Sequence, residues 1–313
     1  MSIDRVSTNS QAQAILARVN DASAALNKTQ DQVSSGKVAS DYAGYGNKTT
    51  VLEAARSAQS RTDAYQANTT MALNQADLQN TQLGSLASLS DKLRQAMTKA
   101  IADGDASTLM DEAGSIFDQA SQILNSKDAS GNYLYGGEKD NVAPFTATSL
   151  SQLAGMPSAS AAFVNGTQKK SIMVGDGESV QVGVLASDVG TNLMQMLKDI
   201  ANFDSGPSGN FSASSSITTA QSSFLSSSLP QVIDASTSLN TATATNGYVY
   251  NRLQDASDRQ SSLSSMYKGF VSNLESVDMG QAVTQLNQNQ VALQAALQVA
   301  AQLNKLSLLN YMQ

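Results

Sequence analysis

The sequence contains no cysteine and no histidine in its 313 residues. The absence of cysteine excludes disulfides and thiol chemistry, and it leaves the compartment open because such a chain is stable in oxidising and reducing surroundings alike. The absence of histidine excludes Ser-His-Asp and Cys-His catalysis and His-ligated zinc. We therefore expect a protein that is not an enzyme and that holds no cofactor and no metal.

Positive charge is also scarce, with 19 Lys and Arg against 26 Asp and Glu and a net charge of −7. No Lys/Arg cluster occurs, so we expect no binding to nucleic acid or to an anionic membrane. No apolar run approaches the roughly 18 residues that a membrane span needs. The N-terminal stretch "MSIDRVSTNSQAQ" has no apolar core and no small-residue cleavage site, so we expect no cleavable signal peptide.

Aromatic residues and proline are rare, with 9 Tyr, 7 Phe, no Trp and 4 Pro. Hydrophobic residues still make up 41% of the chain, and alanine is prominent among them. Alanine buries little area per residue and proline interrupts helices. The composition therefore favours long, closely spaced helices over one thick globular core.

Apolar positions near the N-terminus recur in steps of four and three, which is the spacing of a coiled-coil seam. The first such pattern, Ile15–Val33, predicts a helix that stops at Gly36. The second, Val51–Ala100, keeps one register and predicts a helix about 75 Å long at about 1.5 Å per residue. Residues 102–107 interrupt it, and a third helix is predicted over Leu109–Leu124.

The composition of the sequence changes after Lys127, where Gly, Pro and Ser residues separate short runs of strand-forming residues. Asn165-Gly166 predicts a β-hairpin, and "ESVQVGVL" alternates with the period of a strand. A short helix is predicted over 191–203. The section therefore indicates a small β-rich insert between two helical arms.

Helical spacing resumes near Thr219, continues past the turn-like Asn246-Gly247, breaks at 278–280 and returns in a terminal helix over 281–303. We predict a mainly α fold in which both chain ends form a long coiled-coil helical rod and a small β-rich outer domain is inserted between them. The predicted domains are an N-terminal helical arm (1–130), the β-rich insert (131–212) and a C-terminal helical arm (213–313).

Three pairs of acidic residues are the candidates for chemistry: Asp103/Asp105, Glu138/Asp140 and Asp176/Glu178. Two carboxylates in one loop can bind Ca²⁺ or serve as the acid and base of glycoside hydrolysis. Each pair, however, lies in a turn flanked by glycine, where Asp is favoured for backbone reasons, and no EF-hand spacing is present. We therefore interpret them as structural.

Three stretches of the sequence resemble the flagellin superfamily. "RVST" (5–8), followed by a thin coiled coil into "QVSSGK" (32–37), is similar to the shared N-terminal signature. "DASGNYLYGGEKDNVAPF" (128–145) and the ending "LNQNQVALQAALQVAAQLNKLSLLNYM" (286–312) are similar to the hook-filament junction proteins within that superfamily. One departure is the turn after Gly36, where "VASDYAGYGNKTT" keeps only Asp41 of the family's acidic and Pro-rich pattern.

The resemblance implies an extracellular structural protein of the bacterial flagellum, exported without a cleavable signal peptide. It implies an adaptor ring between hook and filament, with terminal helices that pack on each other and on neighbouring subunits. The implied partners are copies of the chain itself, the hook protein, an adjacent hook-associated protein, filament flagellin and an export chaperone. The implied assembly interface consists of apolar positions in the two terminal helices: Ile15, Val19, Leu26, Val33, Leu286, Leu293, Leu297, Leu303, Leu306, Leu308 and Leu309.

Three alternatives remain open at this point. A filament flagellin belongs to the same superfamily, but flagellins typically close with a Leu-Leu-Arg-like tail, whereas "KLSLLNYMQ" has the junction-protein form. A coiled-coil component of a secretion system is more remote, because it predicts a hydrophobic membrane segment or a methylation-type Glu/Gln pattern, and the sequence shows neither. The most remote alternative is an enzyme, a polysaccharide hydrolase built on the insert.

Overall fold

A computed structural model describes residues 2–212 and 216–311, with side chains described for 10–212 and 216–302. Seven α-helices and one two-stranded antiparallel sheet are present in this part of the chain. The helices are α1 (Ser2–Ser35), α2 (Thr49–Asp103), α3 (Leu109–Leu124), α4 (Leu150–Ala154), α5 (Ala186–Asp204), α6 (Thr219–Glu275) and α7 (Met279–Tyr311). The strands are β1 (Lys170–Gly175) and β2 (Glu178–Val182), and short 3₁₀ helices lie at Ala43–Lys48 and Ala159–Ala162. The mainly α prediction is confirmed.

The chain divides into two units. We call the first the terminal unit (Met1–Arg61 and Leu263–Gln313) and the second the central unit (Thr62–Ser262). The terminal unit contains α1 and α7, which pack against each other, together with the first residues of α2 and the last residues of α6. The insert predicted over 131–212 lies within the central unit.

Helix α1 ends where the sequence predicts. Gly36 adopts φ +69°, a left-handed conformation that glycine reaches without a steric cost, and its N–H donates to the Gln32 carbonyl at 2.9 Å. The chain then pairs briefly with the residues that follow α6, because Lys37 and Ser276 form an antiparallel bridge. The two connections of the terminal unit are therefore held side by side.

The main hydrophobic core lies in the central unit and draws on every helix there. Leucine and methionine side chains of α2 meet aromatic and aliphatic residues of α3, α5 and α6. The fully buried members include Leu83, Leu93, Met97, Phe117, Phe145, Leu197 and Leu239. Helix α5 is longer than the predicted 191–203 and buries ten of its residues, so the insert is fused to the helical core instead of standing apart from it.

The hairpin predicted at Asn165-Gly166 is wrong, because the turn of the sheet lies at Asp176-Gly177 between β1 and β2. Gly166 serves another purpose. Its N–H donates to the Gly136 carbonyl at 2.8 Å, and a Cβ at this position would lie 2.5 Å from Cγ of Glu138. Glycine is required there because two backbone segments pack closely. The sequence Asn-Gly is also typical of a hairpin turn, which explains the wrong prediction.

The sheet packs on the long helices through a second apolar cluster. Val174, Val180 and Val182 of the sheet meet two alanines of α2, Ala72 and Ala76, and Leu253 and Ala256 of α6. The small alanine side chains allow the sheet to approach the helices closely. "ESVQVGVL" thus contains a strand, as its alternation predicts, with Val180 and Val182 on the buried face.

Candidate assembly interface

Helices α1 and α7 pair along a thin seam with the spacing of a coiled coil. On α1, Ile15, Val19, Leu26 and Val33 are all partly buried, and Thr29 is buried among them. On α7, partial or full burial recurs in steps of four and three, at Ala282, Leu286, Asn289, Leu293, Ala296 and Ala300. The structure therefore brings together six of the predicted interface residues: Ile15, Val19, Leu26, Val33, Leu286 and Leu293.

Leu297 lies beside this seam and is 50% exposed. The sequence pattern 293, 297, 300 also fits steps of four and three, which is why Leu297 is predicted in the stripe. The register set by Leu286 and Asn289 instead continues through Ala296 and Ala300. The remaining predicted interface residues are beyond the range for which side chains are described: Leu303, Leu306, Leu308 and Leu309.

Polar residues occupy the centre of the seam. The Asn289 amide donates from Nδ2 to the Ala25 carbonyl at 3.2 Å and to the Thr29 hydroxyl at 3.3 Å. Thr29 in turn donates to carbonyls of its own helix at 2.9 and 3.0 Å. Asn289 is a functional candidate that the apolar pattern misses, although its place in the register of Leu286 and Leu293 identifies it. A polar pair in an otherwise apolar seam specifies how two helices align.

The surface of α7 away from the seam exposes several apolar side chains among polar but uncharged residues. From Met279 to Asn304 the sequence contains no charged residue. Val291, Leu297 and Val299 are 65%, 50% and 49% exposed. Because successive helical residues turn by about 100°, these three side chains face three different directions. A helix that is apolar on several sides is typical of one that becomes buried on several sides.

The two connections of the terminal unit meet at Glu275, the last residue of α6. The Val38 N–H donates to the Glu275 carbonyl at 2.7 Å, and the Val277 N–H donates to the Gly36 carbonyl at 3.0 Å. The Glu275 carboxylate is paired with Lys37 Nζ at 3.2 Å and accepts a hydrogen bond from Arg56 Nε at 2.7 Å. We call this group of contacts the joint.

Arg56 extends the joint to the segment before α2. It donates from Nη1 to the Tyr42 hydroxyl at 3.0 Å, and its guanidinium carbon lies 5.5 Å from the centre of the Tyr42 ring. The hydrogen bond to Tyr42 and the pairing with Glu275 raise the pKa of Arg56. The segment also has its own support, because Asp41 accepts from the Gly44 N–H at 2.9 Å. Asp41 thus forms a turn although the rest of the family pattern is missing.

The acidic pairs singled out in the sequence have structural partners in the central unit. Asp176 accepts a hydrogen bond from the Tyr65 hydroxyl at 2.9 Å, and Glu178 pairs with the Arg259 guanidinium at 3.0 Å. These contacts tie the sheet to α2 and α6. They orient the two carboxylates toward protein groups, as a structural role requires.

The other two pairs are held in a similar way. Asp140 forms an ion pair with Lys170, and Glu138 accepts from the Thr167 backbone at 3.2 Å. Asp105 accepts a hydrogen bond from the backbone two residues further on, which lowers its pKa. Within the described residues, no group of three or more acidic side chains is placed to hold a metal ion. No helix in the same part of the chain combines the length and apolarity needed to cross a bilayer.

Comparison with known families gives a match in the C-terminal arm. Residues 229–312 match the bacterial flagellin C-terminal helical region. This match covers most of α6 and the whole of the described part of α7. No curated protein sequence matches the chain.

Solved structures share the fold. A flagellar hook-associated protein from Vibrio parahaemolyticus superposes with a TM-score of 0.59 at 17% identity, over 73% of this chain and 97% of that one. FlgL from Bacillus cereus superposes with a TM-score of 0.52 at 14% identity, over 70% of this chain and 98% of that one. The resemblance to the flagellin superfamily is thereby confirmed: the chain has a flagellin-type C-terminal helical region and the fold of these flagellar hook-associated proteins.

Proposed function

We propose that the chain is a structural subunit of the bacterial flagellum that joins hook to filament. The observation that carries the proposal is the surface of α7, which has no charged residue from Met279 to Asn304 and exposes Val291, Leu297 and Val299 in three directions. A single partner helix cannot cover all of them. A tube of neighbouring subunits does so, and the similarity to flagellar hook-associated proteins supports that arrangement.

Burial in an assembly is energetically favourable at these positions. Complete burial of a Val or Leu side chain contributes roughly 1.5–3 kcal/mol, and residues that are half exposed in the single chain still have about half of this to gain. No charged residue lies between Met279 and Asn304, so burying this part of α7 removes no ion from water on association. The helix therefore gains stability from each neighbour that it meets.

The proposal includes a set of partners outside the cell. Copies of the chain form a ring that contacts the hook protein, an adjacent hook-associated protein and filament flagellin. An export chaperone holds the terminal helices before secretion, when their apolar faces have no neighbours. The support for these partners is the resemblance of the terminal sequences together with the exposed faces of α7.

A filament flagellin is the second candidate, and the match of residues 229–312 to the flagellin C-terminal helical region favours it. The two functions differ in copy number and position. A junction protein forms one short band between hook and filament, whereas a flagellin repeats along the whole filament.

Localisation and deletion in the bacterium that encodes the chain test the proposal. Gold-labelled antibody should mark one site per flagellum at the hook end, and a strain lacking the gene should keep its hooks and shed flagellin into the medium. Label along the entire filament would establish the flagellin alternative. Intact filaments without the gene would contradict both functions.

A further inference from the structure

Glu275 is a buried acidic residue at the end of α6, in the joint of the terminal unit. It is 8% exposed, and the two cations that face its carboxylate come from two other segments of the chain. Lys37 belongs to the connection after α1, and Arg56 belongs to the beginning of α2. Placing a charged group where water has so little access is costly unless opposite charges and hydrogen bonds compensate it.

The backbone of the same residue holds a third contact. Its carbonyl accepts from the Val38 N–H at 2.7 Å, next to the bond from the Val277 N–H to the Gly36 carbonyl at 3.0 Å. The carboxylate and the carbonyl of Glu275 therefore hold both connections of the joint at once. The hydrogen bond between Arg56 and Tyr42 adds the segment that leads into α2.

We propose that Glu275 is an electrostatic latch that fixes the paired helices α1 and α7 in one orientation on the ends of α2 and α6. When its carboxylate is neutralised or screened, the two connections at Gly36–Val38 and 275–277 separate and the helix pair swings about them. The latch is a conformational device of the terminal unit, and it acts in the single chain regardless of where the protein is assembled.

The burial of Glu275 distinguishes this latch from an ordinary surface ion pair. The pair between Arg259 and Glu178 has side chains that are 55% and 47% exposed, and water and salt weaken it. The Glu275 side chain is 10% exposed and faces two cations, and removing its charge leaves both of them without their shared partner. Glu178→Gln is therefore a matched control for Glu275→Gln, since each removes one paired carboxylate and keeps the shape of the side chain.

Hydrogen exchange of the full-length chain tests the latch at the Val38 and Val277 amides. We expect Glu275→Gln to accelerate exchange of both amides by about tenfold or more, as loss of a charge-assisted contact predicts. Glu178→Gln should leave both rates unchanged. Equal rates in Glu275→Gln and the unsubstituted chain would overturn the proposal. Acceleration that extends evenly through the central unit would also overturn it, because Glu275 would then support the whole fold.

The unsubstituted chain provides a second measurement. Lys37 and Arg56 are 49% and 38% exposed, so salt reaches the latch through its cations. Raising the salt concentration from about 0.05 M to about 1 M shortens the screening length from above 10 Å to about 3 Å and should accelerate exchange at Val38 and Val277, by less than Glu275→Gln does. In Glu275→Gln the same change should have little effect. Exchange of these two amides that is equally fast in the unsubstituted chain and in Glu275→Gln at both salt concentrations would show that the joint is not held electrostatically.

Discussion

The substitution Leu293→Asp tests whether the seam between α1 and α7 is used in assembly. Leu293 is partly buried in the seam, between the polar Asn289 and the small Ala296. Complete burial of a leucine contributes about 2 kcal/mol. Because Leu293 is partly buried in the single chain, roughly 1–1.5 kcal/mol of this is already present there, and the rest is gained when a neighbouring subunit covers the seam. Aspartate loses that contribution and adds several kcal/mol for taking a carboxylate out of water.

The matched control is Leu78→Asp. Leu78 lies on α2 in the central unit and is 40% exposed, so a carboxylate there remains in water. Both variants introduce the same charge and remove the same side chain. A difference between them therefore reports on the seam and not on the chemistry of the substitution.

The assay follows the protein through export and assembly. We expect Leu293→Asp to appear in the culture medium, because export needs no finished seam, while its cells lose their filaments. Leu78→Asp cells should keep them. Filaments of normal length and number on Leu293→Asp cells would refute the reasoning, and so would equal loss in both strains.

Three predictions concern the central unit. Leu197→Ala removes a fully buried side chain of α5 from the core and should lower the free energy of unfolding by about 2–5 kcal/mol in urea titrations. Asn246→Ala removes the 2.7 Å hydrogen bond that the buried amide donates to the Ala76 carbonyl, which should cost about 0.5–1.5 kcal/mol in the same assay. Tyr135 has a hydroxyl that meets no hydrogen-bond partner among the described residues, and burial raises its pKa. The stability linked to its neutral form is present below the unfolded pKa of about 10 and is lost as the pH rises beyond it. Tyr135→Phe removes a buried hydroxyl without a partner, so it should be at least as stable as the unsubstituted chain at pH 7 and should resist alkali better.

Much of the helical framework is predictable from the sequence, because long repeats in steps of four and three dominate it. The third helix begins at Leu109 and ends at Leu124 as predicted, and α1 stops at Gly36. Helix α6 continues through Pro230 and past Asn246-Gly247. The buried hydrogen bond from Asn246 to α2 shows how tertiary contacts outweigh a local turn preference there.

The insert is less predictable, because its signals are short and have more than one structural meaning. Asn165-Gly166 is a common hairpin sequence, yet Gly166 is there for close backbone packing against Glu138. The frequent Gly, Pro and Ser residues indicate β-structure, whereas the longest element in the insert is α5, whose buried side chains join the common core. Only the final three-dimensional contacts distinguish these cases.

The candidate interface also contains residues that the sequence predicts and residues that it does not. The apolar positions of α1 follow directly from their spacing, and Leu286 and Leu293 follow from the same rule on α7. Asn289 is missed because a search for apolar residues passes over a polar one in the correct register. Glu275 could not be identified as the centre of a joint, because Lys37 and Arg56 lie more than 200 residues away along the chain and local patterns do not report such pairings.

Thiol labelling provides the most direct test of the central claim that neighbouring subunits cover the exposed faces of α7. The chain has no cysteine, so Leu297→Cys introduces a single thiol at a position that is 50% exposed in the single chain. The account predicts rapid labelling of the purified monomer and strong protection in isolated flagella, whereas Ser130→Cys, on an exposed turn of the central unit, labels in both. Equal labelling of Leu297→Cys in the monomer and in assembled flagella would contradict the account.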